Sequence, residues 1–275
     1  LNGDFLIAAP STAVLGGNTL EVGGAADIDG ILTVAGDSLI IAGASDFDGT
    51  LNITTGIIDT EGGFNAENGV ITFTGDGKLQ LAGVVAHLGA ISINNGKVIY
   101  DGGNQDIFAD TYYDLTAGGT ATKELAGAVV VERDLTIEAG VTLDVTGTDY
   151  ALSIKRTFTN AGTFTARDGT VTFNGTDHQD LTSNASTFNH LAFVGAAGKT
   201  LTIRDDLDIN GNLTITSGAF SILGAINVTL AGDLTIDTGA FWTKGDGTLT
   251  FDGTTQALSD GNVTPQNLGN ISIDQ

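Results

Sequence analysis

Stretches in which every second residue is apolar recur along the whole chain. They include ILTV (31–34), TLNI (50–53), VITF (70–73), AISI (90–93), DLTI (134–137), TVTF (170–173), NLTI (212–215), DLTI (233–236) and TLTF (248–251). Thr, Asn or Ser sits between the apolar positions, which is the pattern of a strand with one buried face. Gly, Asn and Asp fill the connectors, and these residues tolerate the backbone angles of tight corners. The spacing separates sandwiches from solenoids. An inward position recurs at Leu32, Leu51, Ile71, Ile91, Leu115, Leu135, Leu152, Val171, Leu191, Leu213, Leu234, Leu249 and Ile271. The mean interval is about 20 residues, the mark of a solenoid with one rung per repeat.

Self-similarity supports this reading. DIDGILTVAGDSLIIAG (27–43) aligns without a gap on DFDGTLNITTGIIDTEG (46–62), and DINGNLTITSGAF (208–220) is a third relative. A longer unit is superimposed. Gly, three residues, an aromatic, one residue, Gly and then Gln occurs at 96–105, 169–179 and 247–256, with a looser version from Gly69. The predicted fold class is all-β, a right-handed parallel β-helix (β-solenoid) with about 20 residues per coil and about 13–14 coils. It is read as a single domain, 1–275, with nested long repeats at 1–68 (partial), 69–95 (short), 96–168, 169–246 and 247–275 (partial), the long steps being roughly four coils each. In such a stack Phe73, Tyr100, Phe173 and Phe251 fill the interior, and the Gln reaches a neighbouring coil or corner.

Composition agrees. The chain has 40 Gly but 2 Pro, and no Cys or Met. Disulfides and thiolate metal sites are therefore excluded. A hydrophobic share of 41% is too high for a disordered chain despite a net charge of −23. No apolar run is long enough for a membrane span. Residues 1–77 carry no Lys or Arg, and so acidic a surface repels phosphate backbones and argues against nucleic-acid binding. The start at Leu1 and the lack of Met suggest a processed or excerpted product, and the composition suits an extracellular or cell-surface setting.

The repeat GNLTITSGAF (211–220), together with FNHLAF (188–193) and QNLGNISI (266–273) after the Gly-aromatic-Gly-Gln element, resembles the repeats of filamentous-haemagglutinin-type adhesins and related secreted bacterial β-solenoids. The resemblance implies export, a β-helix shaft, a role in surface fibres or adhesion, and cell-surface or matrix glycans as partners. It carries no catalytic residue. The expected function is an extracellular structural protein, a subunit or shaft of a surface filament or adhesin, and not an enzyme. The sequence shows no amphipathic capping helix. Either copies stack head to tail through open β-helix ends, or the chain is a window on a longer array. The alternative is a carbohydrate-active β-helix enzyme or a carbohydrate-binding module, for which Arg204, Asp205 and Asp206 form the one suggestive local group.

Metal chemistry has one candidate. Asp27/Asp29 and Asp46/Asp48 form Asp-x-Asp-Gly pairs one coil apart, so their carboxylates would stack into a column that structural Ca²⁺ could neutralise. The nonapeptide of calcium-binding β-rolls is absent, and Asp in a Gly corner is ordinarily a solvated turn residue. His87, His178 and His190 lack a nucleophile elbow and read as surface or corner residues.

Overall fold

A computed structural model describes residues 1–92 and 94–274. The fold is an all-β solenoid of about 13 turns, built from parallel strands, and no described residue is helical. Position 93, the end of the expected strand 90–93, lies outside the described residues. The chain groups into two units, Leu1–Gly127 and Ala128–Gln275.

In the first unit each coil contributes one strand to each of three ladders. One ladder stacks Phe5–Ile7, Ala26–Ile28, Ser45–Asp46, Phe64–Asn65 and Val85–His87. A second stacks Thr12–Leu15, Ile31–Val34, Thr50–Ile53, Val70–Phe73 and Ala90–Ser92. The third runs from Leu20–Val22 through Ser38–Ile41, Ile57–Thr60, Lys78–Leu81 and Lys97–Tyr100 to Asp114–Ala117. Every pairing is parallel, so each side chain lies above its counterpart one coil below at about 4.8 Å. Leu32, Leu51 and Ile71 form one such column, each fully buried. Each of these side chains contributes roughly 1.5–3 kcal/mol of apolar burial.

The second unit repeats the plan with longer coils. Leu152, Val171, Leu191, Leu213 and Leu234 form one inward column, which Leu258 continues in register at an exposed position. On another face Leu201, Phe220 and Trp242 stack, with the last two rings parallel at 5.3 Å. A third column holds Phe188, Ile209, Leu230, Phe251 and Ile273. Coil length ranges from 17 residues, Val98 to Leu115, to 24, Leu234 to Leu258.

This variation corrects two expectations. The thirteen positions of the expected inward series are nearly all buried, but they do not form one column. Leu115 stacks on Val98 and belongs to the third ladder of its unit, while Leu249 lies between Val228 and Ile271 rather than above Leu234. The step from the motif at 169 to the motif at 247 is also shorter than four coils, because the partners of Val171 run through Leu191, Leu213 and Leu234 to Leu258, past Leu249. A fixed period accumulates error when a corner gains a residue, so an average finds the right number of turns and the wrong face. The four motif aromatics, Phe73, Tyr100, Phe173 and Phe251, are all buried as expected.

Candidate functional site

The repeated motif, whose Gln was expected to reach a neighbouring coil or corner, has the geometry of a corner clamp. Gly102 lies so close to the coil beneath that a Cβ would fall 1.9 Å from the Ala82 carbonyl oxygen. Gln105 then reaches back from the next strand. Its Nε2 donates to the carbonyls on either side of Ala82, Leu81 at 2.7 Å and Gly83 at 2.8 Å, while its Oε1 accepts from the Gly102 amide at 2.8 Å. The inter-coil half of the construction recurs at Gly253 and Gln256, where Oε1 is buried without a partner. A Cβ on Gly253 would lie 1.9 Å from the Ala231 oxygen, and Gln256 Nε2 donates to the flanking carbonyls of Leu230 and Gly232. At the middle copy one extra residue separates Gly175 from Gln179. There Oε1 still accepts from the Gly175 amide, but Nε2 is buried without a partner.

Two further buried polar groups carry no mark in the sequence. Lys123 stacks directly on Gln105, and its ammonium donates to the carbonyls of Gly102, Gly103 and Thr120 at 2.5–2.9 Å. Burial pushes its pKa down, opposed by the charge of Asp101. Asn160 donates to the Ser183 carbonyl and to Ser186 Oγ, and Ser186 Oγ in turn accepts from the Phe164 amide. Each of these side chains adds a donor to corner carbonyls, two of which, Gly102 and Ser183, also accept a backbone amide. Nothing in the local sequence distinguishes a buried Lys from an exposed one at that spacing.

The acidic candidates are outward-facing. Asp27 and Asp46 are register partners and so stack one above the other, and Asn65 continues the column, donating from Nδ2 to Asp46 Oδ1 at 3.0 Å. Asn68 does the same for Asp48 at 3.3 Å. Asp29 and Asp48 stand two residues along from this column and remain exposed. The Asp46 carboxyl titrates above its ordinary value, through partial burial first and then the charges of Asp48, Asp27 and Asp29, with the Asn65 amide pulling the other way. The expected stacking is present. Among the described residues, however, no three His, Asp or Glu side chains converge as metal ligands.

The remaining candidates do not come together. Arg204 pairs with Asp180, at 2.7 Å through Nε. Asp205 accepts from the amides of Ser183 and Asn184, and Asp206 from the amide of Asn227. Two carboxylates that read as a group are thus separate corner caps. His190 Nδ1 accepts from the Asn212 amide, His87 packs against the Phe108 ring at 5.9 Å, and His178 is exposed. Asp144 accepts from the Arg167 guanidinium and the Thr146 amide, which hold its carboxyl below the usual carboxylate range. Among the described residues no helix is long and apolar enough to cross a membrane.

No protein-family model matches the chain, and neither does a curated protein or a solved structure.

Proposed function

We propose that this chain is an extracellular structural protein, the β-solenoid subunit or shaft of a surface filament or adhesin, with a mechanical rather than a catalytic role. One observation carries the reading: the residues repeated most faithfully are the Gly and Gln of the corner clamp, and in two of the three copies the Gln Nε2 is directed at the backbone of the adjacent coil. A catalytic constellation would instead aim polar atoms at a space that a substrate can enter. Stacked coils with clamped corners resist local opening, which suits a load-bearing rod, and a net charge of −23 opposes lateral clumping.

End-to-end association of copies is part of the proposal. Ile271 and Ile273 occupy the ladder positions of Leu249 and Phe251, yet are 49% and 70% exposed. A further coil laid on them in the same parallel sense would bury both, and the head-to-tail contact so formed is heterologous and open. The partner proposed is a second copy of this chain. Sedimentation velocity across a concentration series tests this, with wild type expected to form growing oligomers and Ile271→Glu/Ile273→Glu to remain monomeric. Monomeric wild type at its highest soluble concentration would overturn the stacking. Electron micrographs of dispersed globules rather than rods or fibres would overturn the shaft itself.

Glycan binding is a second reading, supported by one groove of the second unit. It opens between strands Thr163–Thr165 and Thr187–Phe188, holds about 490 Å³, and is lined by Thr, Asn and Ser side chains with Arg167 as its one cation. Neutral donors and acceptors of this kind suit a polyhydroxylated ligand. A glycan array probed with wild type and Asn184→Ala tests it, and an array blank for wild type would remove it.

A further inference from the structure

A different concavity lies on the first ladder of the first unit, and none of the corner clamps contributes to it. Strand alternation turns two adjacent columns outward there. In one, Ala25, Ala44, Gly63 and Val84 follow each other coil by coil, tied by the bonds from Ala26 to Ala44, Ser45 to Gly63 and Phe64 to Val84. Small side chains at three successive levels leave a trough of about 480 Å³ with a mostly apolar lining. Val84 closes one end and is 78% exposed, far more than an apolar side chain needs to be beside a groove that could receive it.

The second column forms the wall: Asp27, Asp46 and Asn65. Its charge is all negative. Asp27 and Asp46 offer carboxylate oxygens, and Asn65 uses one N–H of its Nδ2 on Asp46 while its Oδ1 is buried. Beyond Val84 a smaller cleft of about 290 Å³ continues with Asp106 and Glu124, which are register partners. Residues 1–77 contain neither Lys nor Arg, and the next member of the wall column is His87, the register partner of Asn65.

An apolar floor beside a wall of carboxylates specifies its occupant through charge. We propose that this trough is a docking site for an extended basic peptide segment of a partner, with small or apolar side chains on the Ala25–Ala44–Gly63 floor and Lys or Arg side chains against Asp27 and Asp46. Four coil levels span about 14 Å, the reach of roughly four extended residues. A simple cation would satisfy the wall and leave the floor wet. A neutral apolar segment would cover the floor and leave the acceptors unmet. Like-charge crowding around Asp46 adds to the argument, because a bound cation relieves it.

The test uses the whole chain and a fluorescent peptide alternating Lys with Val, followed by anisotropy at low ionic strength, where exposed charges are least screened. Asp27→Asn/Asp46→Asn is expected to weaken binding about tenfold or more. Gly63→Leu fills the floor without changing charge, and its Cβ has room, the nearest atom being the Val84 oxygen at 3.7 Å. It is expected to weaken binding by a similar factor. Val84→Lys, at an exposed position, provides a second block should Gly63→Leu misfold. Asp59→Asn/Asp76→Asn removes the same charge outside the first ladder, and is expected to weaken binding clearly less than the wall variant. Equal losses in the wall variant and this control would reduce the effect to the general acidic field and overturn the proposal. So would unchanged binding in both floor variants, or no binding by wild type.

Discussion

Gly102 sits on Ala82 with no room for a side chain, and Gln105 holds the two carbonyls on either side of that contact. The pair explains why the chain repeats a glycine followed by a glutamine: one lets the corner descend onto the coil below, and the other adds a donor to the carbonyls that flank the contact.

Replacing Gly102 by Ala forces the corner away from Ala82. Overpacking of this kind costs roughly 1–3 kcal/mol. Gly103, its neighbour, has no atom within 4 Å of the place a methyl would take and no left-handed backbone. Gly103→Ala should therefore stay within about 0.5 kcal/mol of wild type. Urea unfolding of the two variants checks the contrast, and equal losses would contradict it.

The three glutamines should not behave alike. Gln256→Leu takes the side-chain donor from the carbonyls of Leu230 and Gly232, leaving Leu230 with the Asp252 amide, and is expected to cost about 1–2 kcal/mol. Gln179 already buries an unpartnered Nε2 at a position stacked on Leu201, and its Oε1 accepts from the Gly175 amide. Gln179→Met removes the orphan donor together with that acceptor, and is expected to cost less than Gln256→Leu. An equal or larger loss at Gln179 in thermal melts would contradict the reading.

Asp46 supplies a pH test. Its folded pKa is raised above 3.8, so near that pH the folded state binds more protons than the unfolded one, and the group's contribution to stability falls as pH rises from about 3.8 through the folded value. Asp46→Asn should melt higher than wild type at pH 7, with the difference vanishing at pH 3. A difference that persists at pH 3 would assign the effect to something other than charge.

Tyr100 and Tyr112 are buried with their hydroxyls 3.0 Å apart, and Tyr100 Oη also accepts from the Phe108 amide. Burial raises both phenols well above 10. The stability that comes from keeping them neutral is complete below pH 10 and declines as pH rises toward the folded values, because unfolded tyrosines ionise first. Tyr100→Phe should cost about 1–2 kcal/mol at pH 7 and flatten the alkaline limb of the stability curve. Denaturant titrations at pH 8 and pH 11 measure both.

The alternation at Leu32, Leu51 and Ile71 was enough to reveal strands, parallel stacking and a turn of about twenty residues. It could not assign faces, because a face depends on how many residues each corner holds. The single residue inserted before Gln179 already changes what that side chain can reach. The clamp was legible as a repeated spacing but not as a clamp, since the carbonyls it holds are anonymous backbone. Lys123 and Asn160 gave no signal for the same reason. The Asp27–Asp46 stack was legible because its two copies align without a gap. Its continuation through Asn65, and the trough beside it, depend on which small residues come to lie side by side.

The motif strands Thr170–Phe173 and Thr248–Phe251 belong to different ladders of one unit. Copies that look alike on paper therefore face different directions around the axis. An epitope or sugar attached to the exposed edge of the motif, such as Asn174 in one copy or Asp252 in the other, would be displayed at two bearings instead of along one stripe. An antibody recognising both copies could ring the protein but could not line up along it.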